Sequence, residues 1–280
     1  MKHVSVLLVV LIALLIGPHL YKNYRIDAEI QQKINESVND LPPSGYTALN
    51  RPGHVFAKGT LRAFTEKDLH RLIKQNPKST GRVAVWRWNR VHTATLSAQG
   101  IDRRHHFANS YLVGYQPFET RRIWVPLHTL ALRKHYEYDH LQYSGLKDVW
   151  QNSQQAYYYT RGDCEDHAMI LADWLIEMGL DARVVLGTYK EYGHAWVVFI
   201  LNGKTYLQEA TSKRKTRSMR GIPTAALKVN YHPQFQFNRD SFWVNTGSRF
   251  TTAYTGRQWE LRSRFVDTKA GPHKNPQSKF

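Results

Sequence analysis

Apolar residues recur at three- and four-residue spacing between residues 164 and 179. The apolar positions are Ala168, Leu171, Ala172, Leu175, Ile176 and Met178, with Asp173 and Glu177 between them. This spacing predicts an amphipathic helix. Asp163 is a favourable N-cap, and Glu165 and Asp166 would lie in the first turn, where negative charge is stabilising. Gly179 suits the position that follows the end of a helix.

A strand pattern follows this helix. Apolar and β-branched residues dominate residues 183–186, 194–201 and 204–209. Asn202 and Gly203 separate the last two runs, and an Asn-Gly pair between such runs predicts a two-residue hairpin. In that hairpin His194 begins the first arm and Glu209 ends the second. The histidine and the carboxylate therefore lie at the same end of the hairpin, within reach of each other.

Other segments carry weaker patterns. Residues 65–75 predict a helix that begins with a capping box, and residues 82–88 alternate like a strand. A helical stripe runs through residues 117–143, and residues 241–246 suit an edge strand. Residues 103–106, Arg-Arg-His-His, support no element. Because no further ligand lies at metal-site spacing, we expect them to form a solvated loop.

The chain begins with a basic residue and an apolar run. Residues 4–16 are apolar except for Ser5, and extended to Tyr21 the run is just long enough to span a bilayer. No Ala-x-Ala-like site follows, so we expect an uncleaved signal anchor, with a cleaved signal peptide as the alternative. The predicted divisions are residues 1–21, the anchor or signal peptide; residues 22–44, a polar stalk; residues 45–267, the folded domain; and residues 268–280, a disordered tail.

Composition and charge narrow the class of protein. The chain has 280 residues, of which 42% are hydrophobic, which is enough for one sizeable core. Its net charge is +17, and residues 212–280 contain 14 basic and 3 acidic residues. A basic region of this kind favours an anionic partner such as an envelope polymer. The chain shows no zinc-finger or RNA-recognition motif, which argues against nucleic acid.

The only cysteine of the chain, Cys164, lies at the start of the predicted helix. A single cysteine excludes an intramolecular disulfide. The free backbone N–H groups and the positive end of the helix dipole stabilise a thiolate at such a position. A lone cysteine is more often a small buried apolar residue, but the flanking charges of Asp163 and Glu165 argue against burial here. We therefore interpret Cys164 as a nucleophile.

Three residue types together suit acyl transfer. A thiolate attacks, an imidazole takes and returns the proton, and a carboxylate fixes the tautomer of the imidazole. His194 and Glu209 supply the last two groups at one end of the hairpin. If the start of the Cys164 helix packs against that end, it completes a Cys–His–Glu set. Trp150 or Gln151 would then help the backbone N–H of Cys164 to stabilise an oxyanion.

These residues resemble a known family. The matching residues are Gly162-Asp163-Cys164-Glu165-Asp166-His167-Ala168, then His194-Ala195-Trp196, and the hairpin to Glu209, with Asp148-Val149-Trp150-Gln151 as a lead-in. The set is similar to the transglutaminase-like superfamily, most closely to its bacterial cysteine proteinases, over about residues 120–211. The resemblance implies an α+β fold with a papain/transglutaminase-like core, in which the nucleophile helix packs on an antiparallel sheet. To this fold we add the N-terminal membrane-anchor helix.

The resemblance also implies roles for individual residues. It makes Cys164 the nucleophile, His194 the base and Glu209 the orienting acid. The family usually has aspartate at the third position, so Asp240 is the alternative to Glu209. Some relatives bind calcium through acids beside the cysteine, which here are Asp163, Glu165 and Asp166. The spacing is not that of an EF-hand, and the other interpretation of these acids, which we favour, is helix capping.

The hypothesis that follows is an envelope-located cysteine enzyme that cleaves or transfers an amide bond through a thioester. Peptidase, deamidase and transglutaminase share the first half-reaction, and the closer bacterial likeness favours the peptidase. No cofactor is required, and the substrate is a protein or peptide. The catalytic domain would lie outside the cytoplasm, held at a bacterial inner membrane by residues 4–21. The alternative is a catalytically silent module that binds an anionic envelope polymer or a partner protein.

Overall fold

The computed structural model describes residue 25 and residues 27–269. The chain divides into two compact units, Met1–Asp40 and Leu41–Phe280. In the first unit, residues 27–38 are helical. Among the described residues, no helix combines the length and the apolar character needed to cross a bilayer. The predicted anchor over residues 1–21 and most of the predicted tail lie outside the described residues.

The second unit contains the helices and strands that build the site. Its helices in the described range are α1 Glu66–Gln75, α2 Val125–Arg133, α3 Asp139–Gln142, α4 Ser153–Tyr158 and α5 Cys164–Glu177. Its strands there are β1 Gly53–Ala57, β2 Ala63–Thr65, β3 Ala84–Trp88, β4 Val91–Gly100, β5 His105–Phe107, β6 His135–Tyr136, β7 Val149–Trp150, β8 Arg161–Gly162, β9 Asp181–Tyr189, β10 Tyr192–Leu201, β11 Lys204–Gln208, β12 Tyr231–Phe237, β13 Ser241–Asn245 and β14 Trp259–Asp267. The fold is thus a mixture of short helices and many strands.

The main sheet is antiparallel, as the family resemblance implied. Within the described residues it has eight strands in the order β11-β10-β9-β12-β13-β14-β1-β2. The edge strand predicted over residues 241–246 is wrong in its position. β13 pairs with β12 through Trp243 and Gln236 and with β14 through Trp243 and Leu261. β13 lies inside the sheet because β12, which precedes it in the chain, and β14, which follows it, each pair with one of its two sides.

The predicted Asn-Gly hairpin is confirmed. Leu201 pairs with Lys204, and the two loop residues have the positive φ angles that a type I′ turn requires, 50° at Asn202 and 71° at Gly203. On the other side of β10, His194 pairs with Gly187 of β9. Any larger residue at 187 would place its Cβ against the carbonyl oxygen of His232.

Helix α5 packs on one face of this sheet. Its buried residues Leu171 and Leu175 share a core with Val184, Val197 and Phe199 of the strands beneath. The helix ends as predicted, with Gly179 at a φ of 85° just after the C-cap. The expected polar stripe is wrong at Asp173, which is fully buried and pairs with Arg239. The helix is buried on nearly all sides because α4 and α2 pack against it in addition to β9 and β10.

In the remaining segments, local sequence patterns predicted some helices and strands correctly and others incorrectly. The helix with a capping box at Thr65 is confirmed, and so is a strand within residues 82–88. Residues 103–106 are not simply a solvated loop, since His105 is buried in β5, which pairs with β4. The helical stripe of residues 117–143 yields two short helices, α2 and α3, and not one continuous helix. After Arg133 the chain leaves the helix, and His135 pairs with Arg161 instead.

Candidate active site

Cys164 lies where helix α5 meets strand β10. Its thiol donates to Oε2 of Glu165 at 3.3 Å, and the backbone of Ala195 is near enough to lower the pKa of the thiol. Ala195 directly follows His194 in β10. The contact therefore brings the sulfur to the strand position next to the histidine, as the packing of a helix start against the hairpin end requires.

His194 and Glu209 are in direct contact. Nε2 of His194 lies 2.8 Å from Oε2 of Glu209, and the hydroxyl of Tyr231 donates to the same oxygen at 2.8 Å. The backbone N–H and the hydroxyl of Thr211 donate to the other oxygen at 3.1 and 2.7 Å. Burial raises the pKa of Glu209, but the hydrogen bond and charge of His194 outweigh it and hold that pKa below its ordinary value. Asp240, the alternative acid, is largely exposed and lies 3.7 Å from Arg51.

Aromatic rings surround the histidine. The ring centroids of Tyr189, Trp196 and Tyr231 lie 5.8, 6.2 and 6.3 Å from that of His194. Tyr189 and Tyr231 also contact each other at 4.5 Å. A side chain packed on several sides in this way loses rotamer freedom, so these rings hold the imidazole in one orientation.

The protonation of Cys164 differs from the sequence-based expectation. Burial raises the pKa of its thiol, the carboxylate of Asp163 adds to the effect, and the result is about 12. The position at a helix start favours the thiolate, but burial and, after it, the charge of Asp163 oppose it more strongly. The acids beside the cysteine are also not exposed, because Glu165 and Asp166 are buried.

Five carboxylates gather beside the cysteine. Asp163, Glu165 and Asp166 come from the cysteine motif, while Asp139 of α3 and Asp148 approach from other parts of the chain. Their oxygens form three-residue groups, Asp139/Asp148/Glu165 and Asp139/Asp163/Asp166, in which the ligand atoms lie within 4.8 Å of one another. Burial raises the pKa of each of the five, and repulsion from neighbouring carboxylates raises it further in all of them except Asp163.

The hydrogen bonds of this cluster leave oxygen atoms free. Asp139 accepts from the Val149 N–H at 2.5 Å, and Asp166 accepts from the Gln151 N–H at 2.7 Å. Asp139 Oδ1, Asp163 Oδ1 and Asp166 Oδ2 are buried without a hydrogen-bond partner. Asp163 occupies the N-cap position of α5 but its side chain makes no capping bond. Because the favoured capping interpretation does not account for these oxygens, the cluster suits a hard cation such as calcium.

One buried cation lies beside the acids. Nζ of Lys134 donates to the carbonyl oxygens of Tyr159 and Arg161 at 2.8 and 3.3 Å. Burial lowers the pKa of Lys134 to about 7 in spite of the opposing charge of Asp166. A single lysine of this kind does not balance five carboxylates, and the raised pKa values mean that the cluster without a cation holds protons in place of its full negative charge.

The two residues proposed for the oxyanion are engaged elsewhere. Nε1 of Trp150 donates to Asp148 at 2.8 Å. Nε2 of Gln151 lies 2.9 Å from both the Tyr143 hydroxyl and the Arg161 carbonyl oxygen. Both side chains are buried. Their donors therefore position the acid cluster and the chain before Cys164.

A tyrosine that the sequence analysis did not predict lies beside the cysteine motif. Tyr136 pairs in β6 with Gly162, two residues before Cys164, and its ring lies 6.3 Å from that of His167, one turn after it. Burial raises the pKa of Tyr136, and the charge of Cys164 raises it further, so the phenol stays protonated. The residue is 42% exposed, so it lies at the surface of the site and not in the core.

The other site residues that the sequence analysis did not predict differ in the sequence signal that they carry. Asp148 belongs to the Asp-Val-Trp-Gln lead-in, so its motif was a signal. Asp139 carries no such signal, because it reaches the cluster only through the pairing of β6 with β8 and of β4 with β7. The pairing of β12 with β9 brings Tyr231 to Glu209, and no local sequence pattern predicts that pairing.

A family model of known proteins matches part of the chain and indicates its class of protein. Residues 148–264 match the family model of the CEP76 peptidase-like domain. The matched region contains Cys164, His194 and Glu209. The match therefore supports a peptidase-type protein. A search of curated protein sequences found no match to the chain.

Particular solved structures are similar over part of the chain. LapG of Legionella pneumophila aligns at 18% identity and a TM-score of 0.35, covering 45% of this chain and 70% of LapG. Its calcium-bound form aligns at 17% identity and a TM-score of 0.35, covering 48% of this chain and 75% of that one. An EGTA-treated form aligns at 18% identity and the same TM-score, covering 44% and 67%.

Proposed function

We propose that this protein is a transglutaminase-like cysteine peptidase that cleaves a peptide bond through a thioester on Cys164. The observation that carries the proposal is the 2.8 Å contact between His194 and Glu209 at the strand position that adjoins the cysteine sulfur. The peptidase-like match over residues 148–264 supports the same class.

Acylation follows from the geometry of the ring. Since Nε2 of His194 faces Glu209, Nδ1 is the nitrogen that takes the proton of Cys164. The sulfur then attacks the scissile carbonyl carbon and forms the C–S bond. The protonated ring returns the proton to the leaving amine, and the C–N bond breaks. Glu209, held by Tyr231 and Thr211, keeps the ring in the correct tautomer and stabilises its charged form.

Deacylation reverses the roles. His194 takes a proton from water, the hydroxide attacks the thioester carbon, and the thiol leaves with the proton, which frees a carboxylate product. The backbone N–H of Cys164 and the hydroxyl of Tyr136 are the donors that we assign to the oxyanion of both tetrahedral states. Pre-positioned donors of this kind contribute a factor of about 10²–10³ each to kcat.

Calcium fits the acid cluster. Asp139, Asp148, Asp163, Glu165 and Asp166 supply oxygen ligands, and three of their buried oxygens have no other partner. A bound calcium ion would take the place of the protons that these acids otherwise hold, and would keep the carboxylates ionised. The residues Val149 and Gln151, through their N–H groups, hold two of these carboxylates in position whether or not the ion is bound.

We also propose where the enzyme acts. The apolar run of residues 4–21 holds the catalytic domain, residues 45–267, at the outer side of a bacterial inner membrane. Fractionation of cells that produce the full chain, with protease added to spheroplasts, tests this location. We expect the protein in the membrane fraction and accessible to the protease. Recovery in the soluble cytoplasmic fraction would contradict the location and leave the chemistry untouched.

The cleavage activity is tested with the full chain and a pool of peptides from a digested bacterial proteome. Mass spectrometry counts new peptide ends after incubation with calcium or with EGTA. We expect new ends with the wild type and none with Cys164→Ala or His194→Ala. His92→Ala, an exposed histidine of β4, is the matched control and should cleave like the wild type.

Two results would overturn the proposal. If wild type and Cys164→Ala give the same new ends, the cleavage does not come from this cysteine. If the wild type cleaves nothing in either buffer and iodoacetamide leaves its thiol unmodified, the protein is not a cysteine enzyme. A binding module for an anionic polymer or a protein partner then becomes the better explanation.

A further inference from the structure

We propose that a cavity beside Glu209 binds an acidic side chain of the peptide substrate. The proposal rests on the peptidase function and names the class of substrate. The cavity has a volume of about 360 Å³, and Glu209 forms part of its wall. That volume is at the lower end of the range for sites that bind small molecules, which suits one side chain.

The position of the cavity links it to the site. It lies at the edge of the main sheet, between α2, the end of β11 and residues 212–228. Residues 212–228 cover this edge, since the Leu207 N–H donates to the carbonyl oxygen of Pro223 at 3.0 Å. The carboxylate oxygens of Glu209 are already bonded to His194, Tyr231 and Thr211. They are therefore turned toward the catalytic groups while the residue itself borders the cavity.

A buried amide in the wall has no partner. Gln208 is 1% exposed, and both its Nε2 and its Oε1 are buried without a hydrogen bond. Buried polar side chains in folded proteins almost always have a partner. Because the amide is not held by any partner, it can turn toward the cavity, where an occupant that brings an oxygen to Nε2 would supply the missing acceptor. The amide is thus an observation independent of the charge of the cavity.

The charge of the lining selects an anion. Arg214, Arg220 and Lys228 line the cavity, and their side chains form no ion pair with an acid in the described part of the chain. Residues 212–228 contain six basic residues and no acidic one. Unpaired arginines and lysines around a cavity attract a carboxylate and make charge-assisted hydrogen bonds with it.

The rest of the lining explains why a side chain, and not a bare anion, is the occupant. The apolar side chains that border the cavity are Leu127, Leu207, Ile222, Pro223 and Leu227. These surfaces suit the methylene groups of glutamate. The carboxylate at the end of the side chain then meets the Gln208 amide and the cations.

The first experiment measures binding without catalysis. The full-length Cys164→Ala protein is titrated with acetyl-Ala-Ala-Glu-Ala-Ala-amide and with the matching glutamine peptide. We expect the glutamate peptide to bind about tenfold more tightly, the usual factor for a hydrogen-bonded charge. Adding Gln208→Leu or Arg220→Ala should abolish the difference. Arg249→Ala, an exposed arginine away from the cavity, should leave it unchanged.

The second experiment measures selectivity in cleavage by the wild type. Among new peptide ends, we expect glutamate or aspartate to be enriched at one fixed position from the cleaved bond, and Arg220→Ala to remove the enrichment. Cleavage with no acidic preference overturns the cavity assignment and leaves the peptidase intact. No cleavage, together with Gln208-dependent binding of the glutamate peptide, overturns the peptidase and supports the cavity.

Competition separates the peptide from other anions. Inorganic phosphate or polyphosphate displaces the glutamate peptide at a concentration far below the Kd of that peptide if the cavity is a site for those anions. That result would show the proposal to be wrong. If both peptides bind equally, or if Gln208→Leu and Arg220→Ala leave the difference unchanged, the proposal is also wrong. Arg220→Ala is a surface change, so the test does not depend on whether Gln208→Leu folds.

Discussion

The Oδ2 atom of Asp166 lies 2.5 Å from the position that a Cβ on Gly162 would occupy. The glycine thus lets a buried carboxylate approach the backbone that leads into the cysteine helix. We expect Gly162→Ala to lower the free energy of unfolding by about 1–3 kcal/mol, the usual effect of overpacking. Urea denaturation measures the loss. Gly193→Ala is the control, because no atom lies within 4 Å of its added Cβ; equal losses in both variants would contradict the steric argument.

Tyr231 should act on catalysis through Glu209. Tyr231→Phe removes the hydroxyl that donates to Oε2 of Glu209 at 2.8 Å but keeps the ring beside Tyr189. We expect kcat to fall about tenfold, as for loss of one hydrogen bond to a charged group, with KM within about twofold. Steady-state kinetics across pH gives the result, and the pH profile of kcat/KM should also shift. Tyr189→Phe should behave like the wild type, and a purely structural role would raise KM or lower stability instead.

Calcium should stabilise the folded protein. A ligand that binds only the folded state raises the free energy of unfolding by about 2.7 kcal/mol at a concentration of 100 Kd. We expect the Tm of the wild type to rise with calcium and to return with EGTA, and Asp139→Asn or Asp166→Asn to remove the rise. Differential scanning calorimetry measures it, with Asp181→Asn, a partly exposed acid paired with Arg183, as the control. If the Tm of the wild type is the same with and without calcium, the acid cluster is not a calcium site.

His105 should make stability depend on pH. Burial, followed by the charges of His106 and His70, lowers its pKa from 6.5 to about 4. Between these values the unfolded chain binds a proton that the folded protein does not. The contribution of His105 is therefore complete above pH 6.5 and is lost as the pH falls toward 4, by at most about 3 kcal/mol.

The test is the slope of the unfolding free energy against pH between these two values. We expect His105→Gln to make the slope shallower, whatever its effect on stability at neutral pH. His92→Gln, an exposed histidine of the neighbouring strand, should keep the wild-type slope. An unchanged slope in His105→Gln would show that another group is responsible for the pH dependence.

The ion pair under helix α5 should matter more than one on the surface. Nε of Arg239 lies 2.6 Å from Oδ1 of Asp173, which is fully buried. Arg239→Ala leaves that carboxylate buried and unpaired, which costs about 3–5 kcal/mol. Arg249 and Glu191 form an exposed pair at 3.2 Å, and Arg249→Ala should cost at most about 1 kcal/mol. Guanidinium denaturation of both variants compares them, and similar losses would contradict the assignment.

Much of the local structure could be predicted because its causes lie close together in the chain. The capping box at Thr65, the Asn202-Gly203 turn and the end of the helix at Gly179 each depend on a few neighbouring residues. The hairpin placed His194 and Glu209 at one end of two paired strands. That arrangement follows from the length of the loop alone, and the structure brings the two side chains into contact.

Where the prediction was wrong, the cause lies in tertiary contacts. Residues 241–245 form an inner strand because β14 pairs with the side of β13 that its hairpin with β12 leaves open. Helix α1 packs on β5, which carries the buried His105, and Arg239 reaches the buried Asp173. Helix α1 and Arg239 lie far along the chain from the residues that they contact, so no local pattern carries that information.

For the candidate site, the sequence by itself determined the three residue types and their order, Cys164, His194 and Glu209, and the helix start and hairpin that carry them. Only the tertiary structure decided their surroundings. It brought Asp139 to the acids beside the sulfur, Tyr231 to Glu209, and residues 212–228 over the sheet edge next to Gln208. Spacing along the chain specifies helices and turns, whereas burial and charge depend on which distant segments the core brings together.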